Sequence, residues 1–245
     1  MELAGTVERK TLELAAPTSE ILVDLPLPVG EAVQPGQVVV QLDTEVSEAE
    51  LRAHEAALEA AQAALVEAEG VFARQTRLQK SQVVSRQALD GARRGRDEAV
   101  AAVREREARI AQARKRLEDL TIRAHAAGVV DQLPFEVGER APAGGVVGVV
   151  LGGEPWVRVW MPARAMARIR LGDEAQVRVT GLASRLSGRI TYLAREPAFT
   201  PHYALTERES AHLVYETRIR LVDAPADLRP GLPARVELRL RKAAG

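Results

Sequence analysis

A short sequence pattern occurs twice in this chain, at a constant separation of 108 residues. The first copy reads Leu25-Pro26-Leu27-Pro28-Val29-Gly30-Glu31, and the second reads Leu133-Pro134-Phe135-Glu136-Val137-Gly138-Glu139. The match continues downstream, where Gly36 corresponds to Gly144 and Val39 to Val147. Each copy predicts two short strands joined by a glycine-containing turn, and neither copy can bury its apolar face alone. We therefore expect the copies to pack together as halves of one small β-sandwich, interrupted by whatever lies between them.

The block between the copies, residues 45–120, contains no proline and is dominated by Ala, Glu, Arg, Leu and Gln. Two series of residues recur at intervals of seven, the spacing of a coiled-coil seam. They are Leu51, Leu58, Leu65 and Phe72, and then Leu89, Arg96, Val103, Ile110 and Leu117. Ser85 lies between the series and is a suitable N-cap for the second helix. The pattern predicts an antiparallel coiled-coil hairpin whose helices are each about 50 Å long at 1.5 Å per residue.

The two arms of this predicted hairpin carry opposite charge. Residues 45–72 contain seven acidic side chains and one basic side chain, whereas residues 73–119 contain thirteen bases and seven acids. Exposed ion pairs each contribute only about 0.2–1 kcal/mol, so this bias favours pairing of the two arms more than it adds stability. A nucleic-acid-binding role for the basic arm is disfavoured, because an acidic helix of matching length lies beside it.

The C-terminal part, from residue 155 onward, consists of short strand-like runs and one short helical segment. The run Trp156–Met161 alternates as a strand does, and Pro162–Ala167 predicts a helical turn. Several short strands with one short helix favour a small antiparallel β-barrel. Trp156 and Trp160 fall on one face of their strand, which we interpret as the barrel core. Met161 and Met166 are also interpreted as core residues rather than soft-metal ligands.

Composition excludes several kinds of chemistry. The chain has no cysteine, its 34 basic residues balance its 34 acidic residues, and no apolar run approaches the length of a membrane helix. Its four histidines, His54, His125, His202 and His212, show no metal-binding spacing, and no nucleotide loop or nucleophile signature is present. The N-terminus lacks the features of a signal peptide. We expect a non-enzymatic chain without metal or cofactor, which is either cytoplasmic or has lost an export or anchor segment.

The half-motifs around Val29-Gly30-Glu31 and Val137-Gly138-Glu139 resemble the halves of a biotinyl or lipoyl domain. A lipoyl-like domain split by a coiled-coil hairpin resembles the HlyD-type periplasmic adaptors, also called membrane fusion proteins. The resemblance implies a mainly β fold with a long helical hairpin, in three parts. These are a barrel-sandwich hybrid from residues 1–44 and 121–154, an antiparallel hairpin from 45–120, and a β-barrel domain from 155–245. A carrier domain displays its modified lysine at the turn that the hairpin replaces here, so carrier function is disfavoured.

Two further features resemble the adaptor subfamily that works with ABC-2-type exporters. One is the order Phe199-Thr200-Pro201, Thr206-Glu207-Arg208-Glu209 and Leu213-Val214-Tyr215. The other is the end of the chain shortly after Pro230-Gly231, which resembles the last turn and strand of an adaptor barrel. The resemblance implies an inner-membrane transporter of ABC type as partner.

Adaptors of this family contact their outer-membrane channel through the hairpin tip, with an Arg, a Leu four residues later and a Ser seven residues after that. Arg74, Leu78 and Ser85 match this spacing, and Val83 and Val84 are apolar at the predicted tip. The resemblance implies that these five residues contact a TolC-like channel. The alternative is structural, with Leu78 in the seam, Ser85 as a cap and Arg74 as a solvated charge.

The function implied is that of a periplasmic adaptor of a tripartite efflux or secretion pump. Copies of the chain would form a ring, a trimer or hexamer, and the full-length protein would be anchored to the inner membrane. Alternatives are an adaptor for an RND, MFS or type I secretion transporter, a lipoyl or biotinyl carrier subunit, and a cytoplasmic coiled-coil scaffold.

Overall fold

The computed structural model describes residues 1–81, 83–198, 213–225 and 228–238. Four strands precede the helical hairpin: β1 (Glu2–Ala15), β2 (Glu20–Asp24), β3 (Ala32–Val33) and β4 (Val38–Leu42). The hairpin consists of α1 (Glu45–Lys80) and α2 (Arg86–Asp119). The remaining elements are β5 (Thr121–Arg123), β6 (Gly128–Gln132), β7 (Arg140–Ala141), β8 (Val146–Pro162), α3 (Ala163–Met166), β9 (Glu174–Val179), β10 (Leu186–Leu193), β11 (Val214–Val222) and β12 (Pro233–Leu238).

The two copies of the repeat form one unit with an internal pseudo-two-fold relation. Adding 108 to the bounds of β2 and β3 gives the bounds of β6 and β7, and each strand pairs with a strand of the other copy. Thus β2 pairs with β7 and β3 pairs with β6. The pair Val38–Arg123 between β4 and β5 has its equivalent in the pair Val146–Ala15 between β8 and β1. The expectation that the copies pack as halves of one unit is confirmed.

Backbone hydrogen bonds between the copies follow the same relation. Gly36 N–H donates to the Ala124 carbonyl at 2.8 Å, and its equivalent Gly144 N–H donates to the Ala16 carbonyl at 2.8 Å. Both glycines have positive φ, 82° and 75°, a conformation that favours glycine. These turns therefore explain why the repeat retains glycine at both positions.

The buried side chains of this unit also occur as equivalent pairs. One cluster contains six such pairs: Leu14/Ile122, Ala16/Ala124, Leu22/Val130, Val33/Ala141, Val39/Val147 and Leu42/Val150. Because each half supplies the same positions, neither half has a closed core without the other. Leu117 of α2 packs against this cluster, and Leu120, directly after the helix, belongs to it. The base of the hairpin is thus attached to the sandwich core.

Strands β1, β12, β9, β10, β11 and β8 follow one another as neighbours, and pairing of β1 with β8 closes them into a six-stranded barrel. Its core contains Val157, Val159 and Met161, all fully buried. The predicted antiparallel barrel is confirmed, and Met161 is a core residue as expected. The prediction that Trp156 and Trp160 lie in this core is wrong. The predicted alternation along β8 is confirmed. The face that points into the barrel, however, is the one that carries Val157, Val159 and Met161.

Two long strands belong to both β units. Strand β1 has 14 residues and β8 has 17, and the two pair along most of their length. Val7 of β1 lies in the barrel core, whereas Leu14 lies in the sandwich core. The domain boundaries predicted at residues 44 and 154 remain a proposal. The positions of Val7 and Leu14 in different cores suggest that residues 2–7 belong with the barrel.

The helices of the hairpin contain 36 and 34 residues, which corresponds to about 54 and 51 Å. Ion pairs link the acidic arm to the basic arm, between Glu55 and Arg114 at 3.0 Å and between Glu50 and Arg116 at 3.3 Å. All four side chains are substantially exposed, so these pairs select the partner helix and its register more than they stabilise it.

Candidate functional site

The tip of the hairpin connects the end of α1 to the start of α2. The N–H of Val83 donates to the carbonyl of Leu78 at 3.1 Å, which holds the connection against the last turn of α1. Ser85 is extended, with φ −73° and ψ 155°, and its Oγ accepts a hydrogen bond from Ala88 N–H at 3.2 Å. This is the geometry of an N-cap, so the expected capping role of Ser85 is confirmed.

The structure places the five predicted contact residues together in the last two turns of α1 and in this connection. Arg74 and Leu78 lie one helical turn apart on α1, and both are exposed, Leu78 by 37%. Val83 is 68% exposed and Val84 is half-buried. Leu78 therefore lies beside the seam rather than within it. The tip presents Leu78 and Val83 as an apolar surface that the hairpin itself does not cover.

The tip also carries positive charge. Residues 70–89 contain four basic side chains and no Asp or Glu: Arg74, Arg77, Lys80 and Arg86. Arg77 and Lys80 lie in the last turn of α1, where a cation interacts favourably with the helix dipole. Arg86 is the first residue of α2, and the first turn of that helix contains no acid. Because a helix N-terminus disfavours cations, helix stability does not account for Arg86.

The seam becomes polar close to the tip. The guanidinium carbon of Arg96 lies 4.6 Å from the centroid of the Phe72 ring, so a stacked cation occupies a position that is apolar elsewhere in the seam. Beyond Phe72, the Thr76 hydroxyl donates to the Phe72 carbonyl at 2.8 Å, and Gln75 Oε1 is buried without a hydrogen-bond partner in the described part of the chain. Polar side chains thus take positions near the tip that leucine occupies farther along the seam.

The sequence motif at the tip does not include Arg77, Lys80 and Arg86. These three residues belong to a run of twenty residues that contains no acidic side chain. The run crosses from one arm of the hairpin to the other, so the net charge of each arm does not reveal it. The order Phe199-Thr200-Pro201 and Thr206-Glu207-Arg208-Glu209, used for the subfamily, lies outside the described residues, as do His202 and His212.

Other sites receive no support from the described residues. These residues form no group of His, Cys, Asp or Glu that could hold a metal ion. No described helix has the length and apolar character needed to cross a membrane. Lys115 lies on α2, where its ammonium group forms ion pairs with Asp119 at 2.7 Å and Glu118 at 3.4 Å. These hydrogen-bonded carboxylates raise the pKa of Lys115. Its position in the hairpin is unlike that of a carrier lysine.

Comparison with known proteins agrees with this architecture. Residues 50–119 match the family model described as the RND MFP alpha-helical hairpin domain. A UPF0194 membrane protein of Acidithiobacillus ferridurans is 29% identical over 163 residues, which cover 64% of this chain and 48% of that protein. The chain thus spans about half the length of this relative. The UPF0194 membrane protein YbhG of Salmonella newport is 27% identical, covering 97% of this chain and 88% of the relative.

A solved structure with the same fold is the membrane fusion protein Spr0693 from Streptococcus pneumoniae R6. It superimposes with a TM-score of 0.76 at 17% identity, over 99% of this chain and all of that one. This likeness establishes the fold, while the hairpin model and the UPF0194 relatives supply the sequence relationship. The hairpin thus matches a membrane fusion protein domain in sequence, the UPF0194 relatives match along the chain, and the fold is that of a solved membrane fusion protein.

Proposed function

We propose that the chain is the periplasmic adaptor of a tripartite efflux or secretion pump, and that its hairpin tip contacts a TolC-like outer-membrane channel. The observation that carries the proposal is the tip itself. A hairpin of about 50 Å stands on the sandwich core and ends in exposed Leu78 and Val83 beside the exposed Arg74 and Arg86. An uncovered surface with apolar and cationic groups fits a partner that offers an apolar notch and carboxylates.

The inner-membrane partner in this proposal is an ABC-type transporter, supported by the resemblance of residues 199–215 to the ABC-2 subfamily. The second candidate is an RND transporter, and the description of the matched hairpin model favours it. Co-purification of the adaptor with each transporter class present in the source organism distinguishes the two. Periplasmic location, inner-membrane anchoring and assembly into a trimeric or hexameric ring belong to the same proposal.

The contact with the channel can be tested by cross-linking, because the chain has no cysteine of its own. We expect Ser85→Cys, with a thiol cross-linker in cells that contain the channel, to give a specific adaptor–channel adduct. Adding Arg74→Glu should remove most of this adduct, because the reversed charge repels an acidic partner surface.

The matched control is Ser184→Cys, which places an exposed thiol on the barrel and should give no channel adduct. An exported, folded adaptor that yields no adduct from position 85 or from the other tip positions would contradict the proposed channel contact. The membrane fusion protein fold would remain.

A further inference from the structure

Both tryptophans of the chain lie on the outer face of the barrel, although aromatic residues make up only 3% of the sequence. Trp156 and Trp160 alternate along β8 with the buried Val157 and Val159. Tyr192 of β10 is on the same side of the sheet and is 43% exposed. Large aromatic side chains outside a core that is filled with Val and Ile require an explanation other than core packing.

Arginines are interleaved with these rings. The guanidinium carbon of Arg218, on β11, lies 4.8 Å from the Tyr192 ring centroid and 5.9 Å from that of Trp156. Its Nε donates to Glu216 Oε1 at 2.8 Å, which fixes the orientation of the guanidinium plane. The ring of Trp160 has a corresponding neighbour, Arg158, at 5.8 Å. The aromatic groups and the cations are therefore held in place before any ligand arrives.

A hollow of about 360 Å³ opens on this face. Its wall includes Lys10, Glu154, Trp156, Tyr192, Arg218 and Arg220. Three of these side chains are cationic and one is anionic, and Glu154 is already paired with Arg220 at 3.3 Å. Arg218 is likewise paired with Glu216, so Lys10 supplies the positive charge of this wall that no described carboxylate balances. The volume is within the range of small-molecule sites, and the charge of Lys10 favours an anion.

The edge of Trp156 that carries the indole nitrogen lies beneath this wall. The indole N–H of Trp156 is buried, and no residue in the described part of the chain accepts its hydrogen bond. Because this nitrogen has almost no accessible surface, a ligand in the hollow would meet the carbon atoms of the indole ring and not its N–H.

We propose that this hollow binds an organic anion with a flat aromatic body, such as an aromatic sulfonate or carboxylate. The aromatic ring stacks against Trp156 and Tyr192. The anionic group lies near Lys10 and Arg220. The site is on the barrel and is independent of the hairpin tip, so it does not require the pump role.

Intrinsic fluorescence provides a direct readout, because the only two tryptophans of the chain lie on this face. Benzenesulfonate should change the tryptophan emission saturably, with a dissociation constant on the order of 1 mM for so small a ligand. Benzyl alcohol lacks the charge and methanesulfonate lacks the ring, so neither should produce a saturable change. Isothermal titration calorimetry with benzenesulfonate gives a second readout that does not depend on the tryptophans.

Trp156→Leu removes the aromatic ring from the wall, and by calorimetry it should weaken binding about fivefold, the equivalent of one aromatic contact. Trp160→Leu is the matched control and should leave binding unchanged. Lys10→Gln should weaken benzenesulfonate binding with no change in the melting temperature. Absence of saturable binding, equal effects of the two tryptophan variants, or equally strong binding of benzyl alcohol would overturn the proposal.

Discussion

The substitution Gly128→Ala is expected to destabilise the protein by about 3 kcal/mol, enough to lower its melting temperature by several degrees. A Cβ atom at this position would lie 2.7 Å from Val150 Cγ1 and 2.9 Å from the carbonyl carbon of Leu151, and still closer to the Leu151 oxygen. Backbone atoms cannot move aside cheaply, so β6 and β8 would have to separate at the pair Gly128–Gly152. Thermal and urea denaturation followed by circular dichroism measure the loss.

Gly70→Ala is the matched control, with the opposite expected sign. Gly70 lies within α1, is exposed, and a Cβ atom there would have no neighbour within 4 Å. Alanine should therefore stabilise the hairpin by about 0.5–1 kcal/mol, the difference in helix propensity. Equal stability of Gly128→Ala and the unchanged protein would contradict the close approach of β6 to β8.

Reversing the two tip charges with Arg74→Glu and Arg86→Glu is expected to weaken binding to the purified channel at least about tenfold. An acid at position 86 is at the same time favourable for α2, because it complements the positive end of the helix dipole. Arg86→Glu alone should thus raise the stability of the hairpin by about 0.3–1 kcal/mol while it weakens binding. A merely structural role of Arg86 cannot produce changes of opposite sign.

Arg104→Glu reverses an exposed charge in the middle of α2 and should leave channel binding unchanged. Binding of the unaltered protein should also weaken as salt is added, since exposed charges are screened. Undiminished binding of the doubly reversed protein, at low salt and with the melting curve intact, would move the contact away from the tip. It would leave the membrane fusion protein fold in place.

The pairing of the two repeat copies could be predicted from sequence because it depends on equivalent positions. Because the offset is constant and without gaps, a contact that Val38 makes with the second copy should recur as a contact that Val146 makes with the first copy. The structure contains both contacts. The hairpin was predictable for a similar reason, because its seam repeats over several heptads.

The face of β8 could not be predicted in the same way. Alternation gives the period of a strand but not which of its two faces is buried, and both faces of Trp156–Met161 contain large apolar groups. A barrel of only six strands has a narrow interior, which accommodates Val157 and Val159 more readily than an indole. At the tip, the motif identified the right segment, but the charge of Arg86 acquires significance only once α2 is known to begin there.

The hairpin leaves and re-enters the sandwich through adjacent paired strands, with Gln41 opposite Thr121 and Leu42 N–H donating to the Leu120 carbonyl at 2.9 Å. Both ends of the insertion are thus fixed at one place, whatever its length. Adding one heptad to each helix would move the tip outward by about 10 Å without altering a contact in the sandwich. The length of the hairpin can therefore change by whole heptads while the β-sandwich stays the same.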